Sequence, residues 1–274
     1  LEGCAPLLEE RIRLGRACDG HGDLLADDIF CLPDGPRILD CIEFDDRLRW
    51  GDALFDVAFL AMDLEDLGAA HLASHLLSSY ADASGDHWPA SLAHHYIAHR
   101  AQIRAKVACL RWEQGDEASA DHARRLLALA ASHLDAGRVR LIAVSGLPGT
   151  GKSTVAAGIA EALGAVHLRS DEVRKTMLGT GPGLYSASTT NATYDELLEE
   201  AARCLTHGES VVVDATWLDP HWRTKVGEVA SATAAELHEL ECVAPAPVVE
   251  ARIEARRTRG DDLSDATVEV YRAM

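Results

Sequence analysis

The spacing of apolar residues changes near residue 136. Beyond it, short apolar runs alternate with longer segments whose apolar positions recur at helical spacing. This alternation predicts parallel strands with helices on both faces of one sheet, because parallel strands need long crossover connections. The predicted strands are residues 138–145, 165–169, 209–214 and 236–242. The predicted helices are residues 151–163, 171–178, 192–206, 219–231 and 247–259.

The first 136 residues follow another pattern. Residues 29–32 and 37–44 are β-prone runs on either side of the turn sequence at 33–36, so they predict two short strands. Residues 52–135 have apolar positions at helical spacing and predict a largely helical segment. The two predicted domains are residues 1–136 and 137–274.

Composition limits the partners and the location. The 26 Lys and Arg residues against 44 Asp and Glu give a formal net charge of -18, which disfavours a surface that binds nucleic acid. The seven cysteines include no Cys-x-x-Cys pair and are typical of reduced thiols. No apolar run reaches the roughly 18 to 20 residues needed to span a bilayer, and the N-terminus lacks a signal-peptide pattern. We expect a soluble cytoplasmic chain without a membrane partner.

Residues 146–154 read Gly-Leu-Pro-Gly-Thr-Gly-Lys-Ser-Thr and fit the complete pattern of a phosphate-binding loop (P-loop). The segment lies between a predicted strand and a predicted helix, as the mechanism requires. Backbone N–H groups of such a loop converge on phosphate oxygens, and the helix start adds the positive end of its dipole. Lys152 would reach the outer phosphates, and Ser153 would hold Mg²⁺. The residues predicted to bind ATP are Gly146, Pro148, Gly149, Thr150, Gly151, Lys152, Ser153 and Thr154.

Asp214 ends another predicted strand, in the sequence Val211-Val-Val-Asp214-Ala-Thr216. A carboxylate at this position can orient Mg²⁺ or its water shell in P-loop enzymes. The alternative is an Asp that merely caps the next turn.

The segment His167-Leu-Arg-Ser-Asp171-Glu-Val-Arg174 carries a strand into a helix. Asp171 lies in the first helical turn, and Arg174 follows one turn later on the same face. The carboxylate could take the proton of a substrate hydroxyl, and the Arg could hold an anionic or polar substrate in line. The alternative is an ordinary acidic first turn after a Ser N-cap.

Arg252, Arg256 and Arg259 fall at i, i+4 and i+7 of the last predicted helix, so one face carries three guanidinium groups. Arginines that close over a triphosphate would stabilise charge on the transferring phosphoryl group. A solvated basic face is the alternative.

The C-terminal half resembles the small P-loop kinases of the polynucleotide kinase, zeta toxin and gluconate kinase type. The resemblance is carried by the P-loop, the Asp171-x-x-Arg174 pair, Asp214-Ala-Thr and the arginines before the sequence Ser-Asp-Ala-Thr at 264–267. It implies an ATP-dependent phosphotransferase with Asp171 as base, Arg174 on the substrate, and Arg256 and Arg259 in a lid. The last strand of such folds is missing, so we expect a domain truncated at its C-terminus.

The segment His21-Gly22-Asp23 with Asp28 five residues later resembles the catalytic loop of the aminoglycoside phosphotransferase family. The resemblance implies that Asp23 is a base and that Asp28 binds a metal ion, although the family has Asn there. Glu43 matches the family's second metal-binding carboxylate, with Asp40 and Asp45 as alternatives. The alternative is a simple Gly-Asp turn. Only twenty residues precede His21, so we expect a mainly helical C-lobe without its N-lobe.

Together the halves resemble bacterial bifunctional proteins that join an aminoglycoside phosphotransferase-like lobe to an AAA-family ATP-binding P-loop kinase. The predicted fold class is α/β, and the predicted activity is Mg²⁺-dependent transfer of phosphate from ATP to a hydroxyl of a small or sugar-like molecule. An ATP-binding regulatory switch is one alternative, and a toxin-like or polynucleotide-end kinase is another. The acceptor pocket is expected in variable loops such as residues 179–185.

Overall fold

A computed structural model describes residues 3–178, 187–259 and 267–273, with the side chains of Arg256 and Arg259 outside the described part. The predicted acceptor loop at 179–185 and most of the segment at 264–267 also lie outside it. The chain divides into two compact units, which we call the N-terminal unit (mainly residues 6–138) and the C-terminal unit (mainly residues 139–274).

The N-terminal unit is mainly helical. Its helices are α1 (Ala5–Arg13), α2 (Ala53–Asp66), α3 (Ala70–Ser84), α4 (Ala90–Glu113) and α5 (Ala118–Ala136). Its strands are β1 (Ala17–Asp19), β2 (Ile29–Leu32), β3 (Gly35–Ile38) and β4 (Trp50–Asp52). Antiparallel pairing joins β1 to β4 and β2 to β3. The core contains large buried side chains from three of the helices, among them Phe59, Leu92, Ile97 and Leu126.

The hairpin of β2 and β3 is shorter than predicted. The strand expected over residues 37–44 ends at Ile38. Asp40 has φ 64°, in the left-handed region, which an extended strand cannot contain. Apolar residues beyond this point therefore lie in a loop, and the prediction of a strand to residue 44 is wrong.

The C-terminal unit contains one parallel sheet flanked by helices. Its strands are β5 (Arg140–Ser145), β6 (Val166–Arg169), β7 (Val211–Asp214) and β8 (Glu236–Glu241). Its helices are α6 (Lys152–Leu163), α7 (Ser170–Leu178), α8 (Ala187–Thr206), α9 (Pro220–Ala232), α10 (Ala246–Arg259) and α11 (Val268–Ala273). All four predicted strands are present within two residues of their predicted ends, whereas α8 begins five residues earlier than predicted.

Alternate residues of the central strands enter different parts of the core, as the period of a strand requires. Leu141 and Val211 pack with side chains of α8 and α9, such as Leu197 and Trp222. Their neighbours Ile142, Val144 and Val212 pack instead with Ala156 and Ala160 of α6. Both faces of the sheet are therefore covered by helices.

The strand order is β6-β7-β5-β8, with all neighbours parallel. In this order, the connection from β5 leads to β6 at one edge of the sheet, and the connection from β7 leads to β8 at the opposite edge. Connections from the adjacent strands β5 and β7 thus lead in opposite directions. In open α/β sheets a crevice forms at the carboxyl ends of such strands, and ligands bind there.

Candidate functional site

The phosphate loop follows β5 at this crevice, and its glycines have positive φ angles. The φ angle is 145° at Gly146, 82° at Gly149 and 99° at Gly151, values that side chains with a Cβ rarely adopt. At Gly149 a Cβ would lie 2.9 Å from side-chain carbons of both Val249 and Ile253. Helix α10 therefore packs directly on the loop, and only glycine fits at the contact.

Short hydrogen bonds shape the turn into α6. Thr150 Oγ1 donates to the carbonyl oxygen of Leu147 at 2.8 Å, and the N–H of Thr154 donates to the carbonyl oxygen of Gly151 at 3.1 Å. Pro148 is buried, whereas Lys152 and Ser153 are partly exposed at the first turn of the helix. The two side chains predicted to bind phosphate and metal are thus accessible to a ligand.

Arg252 contacts the loop from α10. Its Nη1 donates to the carbonyl oxygen of Thr150 at 3.2 Å. The sequence placed Arg252 on an arginine-rich helical face that could close over a triphosphate, and the structure brings its side chain against the loop itself. The structure therefore adds a cation next to the predicted triphosphate position.

Asp214 lies at the end of β7, paired in register with Val144 of β5 and Arg169 of β6. The residue is only 3% exposed. Its Oδ2 lies 3.8 Å from His167 Nε2 and 3.7 Å from Arg169 Nε, while its buried Oδ1 has no hydrogen-bond partner in the described part of the chain.

Burial opposes ionisation of Asp214. The nearby His167 imidazole, followed by the charge of Lys152 and the hydroxyl of Ser153, outweighs burial and lowers the pKa of this carboxyl. The side chain is therefore an ionised carboxylate with one oxygen that makes no hydrogen bond, close to a Ser hydroxyl. These donors fit hydrated Mg²⁺, which takes oxygen ligands and keeps several of its waters.

Asp171 and Arg174 lie on α7, which begins directly after β6. Arg174 Nη1 donates to Asp171 Oδ1 at 2.7 Å, and the side chains are 9% and 21% exposed for Arg174 and Asp171 respectively. Sequence spacing placed the two on one face, and the structure joins them in an ion pair. Glu172, the residue after Asp171, accepts a hydrogen bond from Arg169 Nη1 at 3.1 Å.

The sequence assigned no role to three residues at the carboxyl edge, although Thr216 belongs to the Asp214-Ala-Thr segment. The Tyr194 hydroxyl of α8 lies 2.9 Å from Thr216 Oγ1 and accepts a hydrogen bond from the Trp217 N–H at 3.3 Å. Trp217 has φ 50° although it is a bulky residue. The apolar spacing of α8 predicts Tyr194 only as a core residue, so no sequence signal pointed to this contact.

In the N-terminal unit, the carboxylate of Asp56 accepts hydrogen bonds from the backbone of the loop that carries Asp23. The N–H groups of His21 and Gly22 donate to its two carboxylate oxygens at 2.5 and 3.0 Å. Arg100 Nη1 also donates to the carbonyl oxygen of Gly22 at 2.9 Å. Asp23 itself is half-exposed, with Oδ1 3.9 Å from Arg104 Nη1, and it borders a cavity of about 420 Å³.

Asp28 and Glu43 are the carboxylates predicted to bind a metal ion in this unit. Asp28 is partly buried and Glu43 is exposed. Among the described residues, no group of three or more His, Cys, Asp or Glu side chains could hold a metal ion. The metal role of these two residues stays a prediction.

None of the helices in the described ranges is both long enough and apolar enough to cross a membrane.

Residues 141–274 match the AAA domain family. Uncharacterized proteins of Mycobacterium tuberculosis (strain ATCC 25618 / H37Rv) and Mycobacterium bovis (strain ATCC BAA-935 / AF2122/97) are each 45% identical to the chain over 285 residues. The alignments cover 100% of this chain and 56% of each relative, so the chain spans little more than half the length of these proteins.

Solved structures resemble the chain over roughly half its length. A protein from Chloroflexus aurantiacus j-10-fl is 25% identical, with 48% of this chain and 74% of that chain covered and a TM-score of 0.43. The APS kinase CysC of Mycobacterium tuberculosis, solved with AMPPNP and APS, is 23% identical, with 46% and 76% covered and a TM-score of 0.38. A gluconokinase from Sinorhizobium meliloti 1021 is 23% identical, with 49% and 71% covered and a TM-score of 0.36.

These TM-scores are too low to support an assignment, which depends on the family match, the strand order and the conformation of the loop. The C-terminal unit is therefore a P-loop domain whose sequence matches the AAA domain family.

Proposed function

We propose that the C-terminal unit is a kinase that transfers the terminal phosphate of ATP to a hydroxyl of a small or sugar-like molecule. The proposal is carried by the grouping of three elements at one edge of the sheet. The phosphate loop follows β5, Asp214 ends β7, and Asp171 follows β6. A nucleotide, a metal ion and an acceptor hydroxyl are the components that phosphoryl transfer must align.

The nucleotide would bind with its outer phosphates against the N–H groups of the loop and the start of α6. Lys152 would neutralise charge on the β and γ phosphates. Ser153 and Asp214 would hold hydrated Mg²⁺, which withdraws electron density from the phosphate oxygens when bound. Arg256 and Arg259 of α10 would close over the triphosphate as a lid.

Asp171 is the proposed base. The acceptor oxygen attacks the γ phosphorus, the bond from that phosphorus to the bridging oxygen of ADP breaks, and the acceptor proton passes to Asp171. In the free protein this carboxylate is paired with Arg174. A polar or anionic acceptor would draw Arg174 to itself, which would hold the acceptor in line and free Asp171 to receive the proton.

The rival proposal is a nucleotide-dependent switch without phosphoryl transfer. Tight ATP binding with slow hydrolysis that no acceptor accelerates would favour it. A toxin-like kinase or a polynucleotide-end kinase is the second alternative, and the net charge of -18 counts against the nucleic-acid version.

The N-terminal unit has a proposal of its own, the C-lobe of an aminoglycoside phosphotransferase-like fold. The backbone clamp of Asp56 on the Asp23 loop and the adjacent cavity of about 420 Å³ support a prearranged site there. Asp23 would be its base, and Asp28 and Glu43 would be its metal ligands. Any transfer that survives Lys152→Ala should then be lost with Asp23→Asn.

The test is ADP formation with Mg²⁺ and a panel of hydroxyl compounds. We expect an acceptor that accelerates ADP formation, and we expect Asp171→Asn to lower that rate about 100-fold, within the range for a general base. Glu172→Gln is the matched control, because it removes a charge from the same helical turn and should change the rate less than threefold. An unchanged rate in Asp171→Asn would remove Asp171 from the mechanism.

A further inference from the structure

The contact of Tyr194 with Thr216 fixes the direction of a hydrogen bond at the edge of the proposed active site. A Tyr hydroxyl has one hydrogen and two acceptor lone pairs. The N–H of Trp217 uses one lone pair of Tyr194 at 3.3 Å. Tyr194 is only 4% exposed, so its own hydrogen needs a protein acceptor, because a buried donor without a partner is unfavourable.

Thr216 Oγ1, at 2.9 Å, is the acceptor that the described part of the chain offers to this hydrogen. Tyr194 therefore donates to Thr216, and the hydrogen of the Thr216 hydroxyl has no acceptor within the described residues. Thr216 is partly exposed, so that this hydrogen can reach a ligand. The result is a donor whose direction is set before any ligand binds.

The position of Thr216 makes this donor relevant to phosphoryl transfer. The residue lies two positions beyond Asp214, at the carboxyl end of β7. Strand β7 lies between β5, which leads into the phosphate loop, and β6, which leads into the helix of Asp171. The N–H of Ala215 still donates to the carbonyl oxygen of Val144 in β5 at 3.3 Å, so the chain remains at the sheet edge as it reaches Thr216.

The backbone after Thr216 is strained and firmly held. Trp217 has φ 50°, an unfavourable region for a bulky side chain, and it is only 2% exposed. Its ring meets the Tyr194 ring edge to face, with centroids 5.0 Å apart. Strain of this kind persists where the surroundings impose it, and it is concentrated at functional sites. Tyr194 thus fixes both the loop backbone and the Thr216 hydroxyl.

We propose that Thr216 is a ligand-binding residue whose hydroxyl donates to an oxygen at the phosphoryl-transfer centre, and that Tyr194 is the positioning residue that orients it. The inference depends on the proposed function for the identity of that centre. The oxygen belongs either to the terminal phosphate of ATP or to the acceptor. Both present the same chemistry to a hydroxyl donor, and two separate measurements distinguish them.

The test compares Thr216→Val, which removes the hydroxyl at nearly constant volume, with Thr216→Ser, which keeps it. Displacement of a fluorescent ATP analogue gives the Kd for Mg-ATP without turnover, and the transfer assay gives the KM for the acceptor. We expect Thr216→Val to raise one of these constants about tenfold, which corresponds to about 1.4 kcal/mol. Thr216→Ser should stay within about twofold of the wild type, since its hydroxyl can form the same bond.

Tyr194→Phe should raise the same constant about threefold, because it leaves the Thr216 hydroxyl present but unoriented. Thr224→Val is the control, since the Thr224 hydroxyl donates to the Pro220 carbonyl oxygen in α9 at 3.1 Å. A changed Kd places the oxygen on ATP, and a changed KM places it on the acceptor. If Thr216→Val alters neither constant, or if Tyr194→Phe lowers only the thermal midpoint, the inference is wrong.

Two further points keep the test decisive. If Thr216→Val does not fold, Thr216→Ala removes the same hydroxyl without a second γ-methyl group to pack. If the wild type binds ATP but phosphorylates no acceptor, the proposed kinase function fails. Thr216 is then judged by the Kd for ATP alone, and an unchanged Kd overturns the inference.

Discussion

Buried charged groups occur in both units, but their hydrogen bonding differs. In the N-terminal unit, Arg11 donates to both oxygens of Asp52 and to both oxygens of Asp86 at 2.7 to 2.9 Å. At the sheet edge of the C-terminal unit, Asp214, His167 and Arg169 each keep a buried polar atom without a hydrogen bond in the described part of the chain.

Native proteins satisfy nearly all their buried polar groups, so the two arrangements have different meanings. A carboxylate that shares a buried guanidinium supports the fold, because removing it leaves that charge incompletely paired. A carboxylate with an unused oxygen at a strand end is available to a ligand. The N-terminal unit has exceptions, since His21 Nδ1 beside the Asp23 loop and Arg16 Nε are buried without a hydrogen bond in the described part of the chain.

The largest effect that sharpens the comparison concerns Lys152. Lys152→Ala should lower ATP-dependent turnover about a thousandfold, because it removes the cation that neutralises charge on the transferred group. Lys225→Ala is the matched control and should leave turnover unchanged. Lys225 Nζ in α9 lies 2.8 Å from Asp195 Oδ1 in α8. Steady-state ADP formation measures both. Equal losses in the two variants would contradict the role of the loop.

The two buried carboxylates provide a direct contrast. Asp86 is 1% exposed and Asp214 is 3% exposed. Asp86→Asn should lower the free energy of unfolding by about 3 kcal/mol, because both Arg11 and Arg16 lose a carboxylate partner, while Arg11 keeps Asp52. Asp214→Asn should cost about 1 kcal/mol, the size of a single hydrogen bond, yet it should abolish the Mg²⁺ dependence of ATP binding.

Hydrogen exchange followed by mass spectrometry measures the two stability changes separately, on peptides from each unit. Titration of Mg²⁺ against ATP affinity measures the functional change. The comparison fails if Asp214→Asn destabilises its unit as much as Asp86→Asn does, or if its ATP affinity keeps the Mg²⁺ dependence of the wild type.

Acid pH should weaken the N-terminal unit through a partly buried pair of histidines, His94 and His133. His94 Nδ1 of α4 lies 2.8 Å from His133 Nδ1 of α5, and His133 Nε2 lies 2.8 Å from a carboxylate oxygen of Glu65 in α2. Burial, followed by the charge of His133, lowers the pKa of His94 from its ordinary value of 6.5, while Glu65 opposes the shift. The neutral form of His94 is therefore favoured in the folded state.

A lowered folded-state pKa means that stability from His94 is complete above pH 6.5 and is lost as the pH falls below it. The N-terminal unit should melt at a lower temperature at acid pH, and His94→Gln should reduce this dependence. His71→Gln changes an exposed side chain of α3 and should keep it. Thermal melts at several pH values decide the point, and an equal pH dependence in His94→Gln and the wild type would exclude His94 as its source.

The smallest expected effect concerns Arg252. Arg252→Ala should weaken ATP binding about three- to fivefold, because the loop loses a modest hydrogen bond from an exposed guanidinium. Arg203→Ala is the control, since Arg203 lies near the C-terminal end of α8, 4.0 Å from Glu196. Analogue displacement measures both affinities. Unchanged binding in Arg252→Ala would show that the loop holds its conformation without this contact.

The sequence predicted those features that depend on local pattern. The phosphate loop, the four strands and Asp214 at a strand end follow from glycine spacing, apolar runs and the order of elements. The ion pair of Asp171 with Arg174 also follows from a spacing of three on a helix. Each of these features involves residues close together in the chain.

Features that depend on distant residues or unusual backbone angles were beyond such patterns. Tyr194 and Thr216 are 22 positions apart, and their contact depends on how α8 packs against β7. The early end of β3 depends on the left-handed φ angle of Asp40, which the β-prone sequence does not indicate. The contact of Arg252 with Thr150 spans 102 positions and requires the complete sheet.

Phosphorus NMR of a reaction with Mg-ATP and the acceptor panel tests the central claim most directly, because it identifies where the terminal phosphate goes. We expect a new phosphate-ester resonance that grows with that of ADP, and that is absent with Lys152→Ala and present with Lys225→Ala. A reaction that yields only inorganic phosphate, or an ATP spectrum that stays unchanged while ATP is bound, would contradict phosphoryl transfer to a hydroxyl by this P-loop unit.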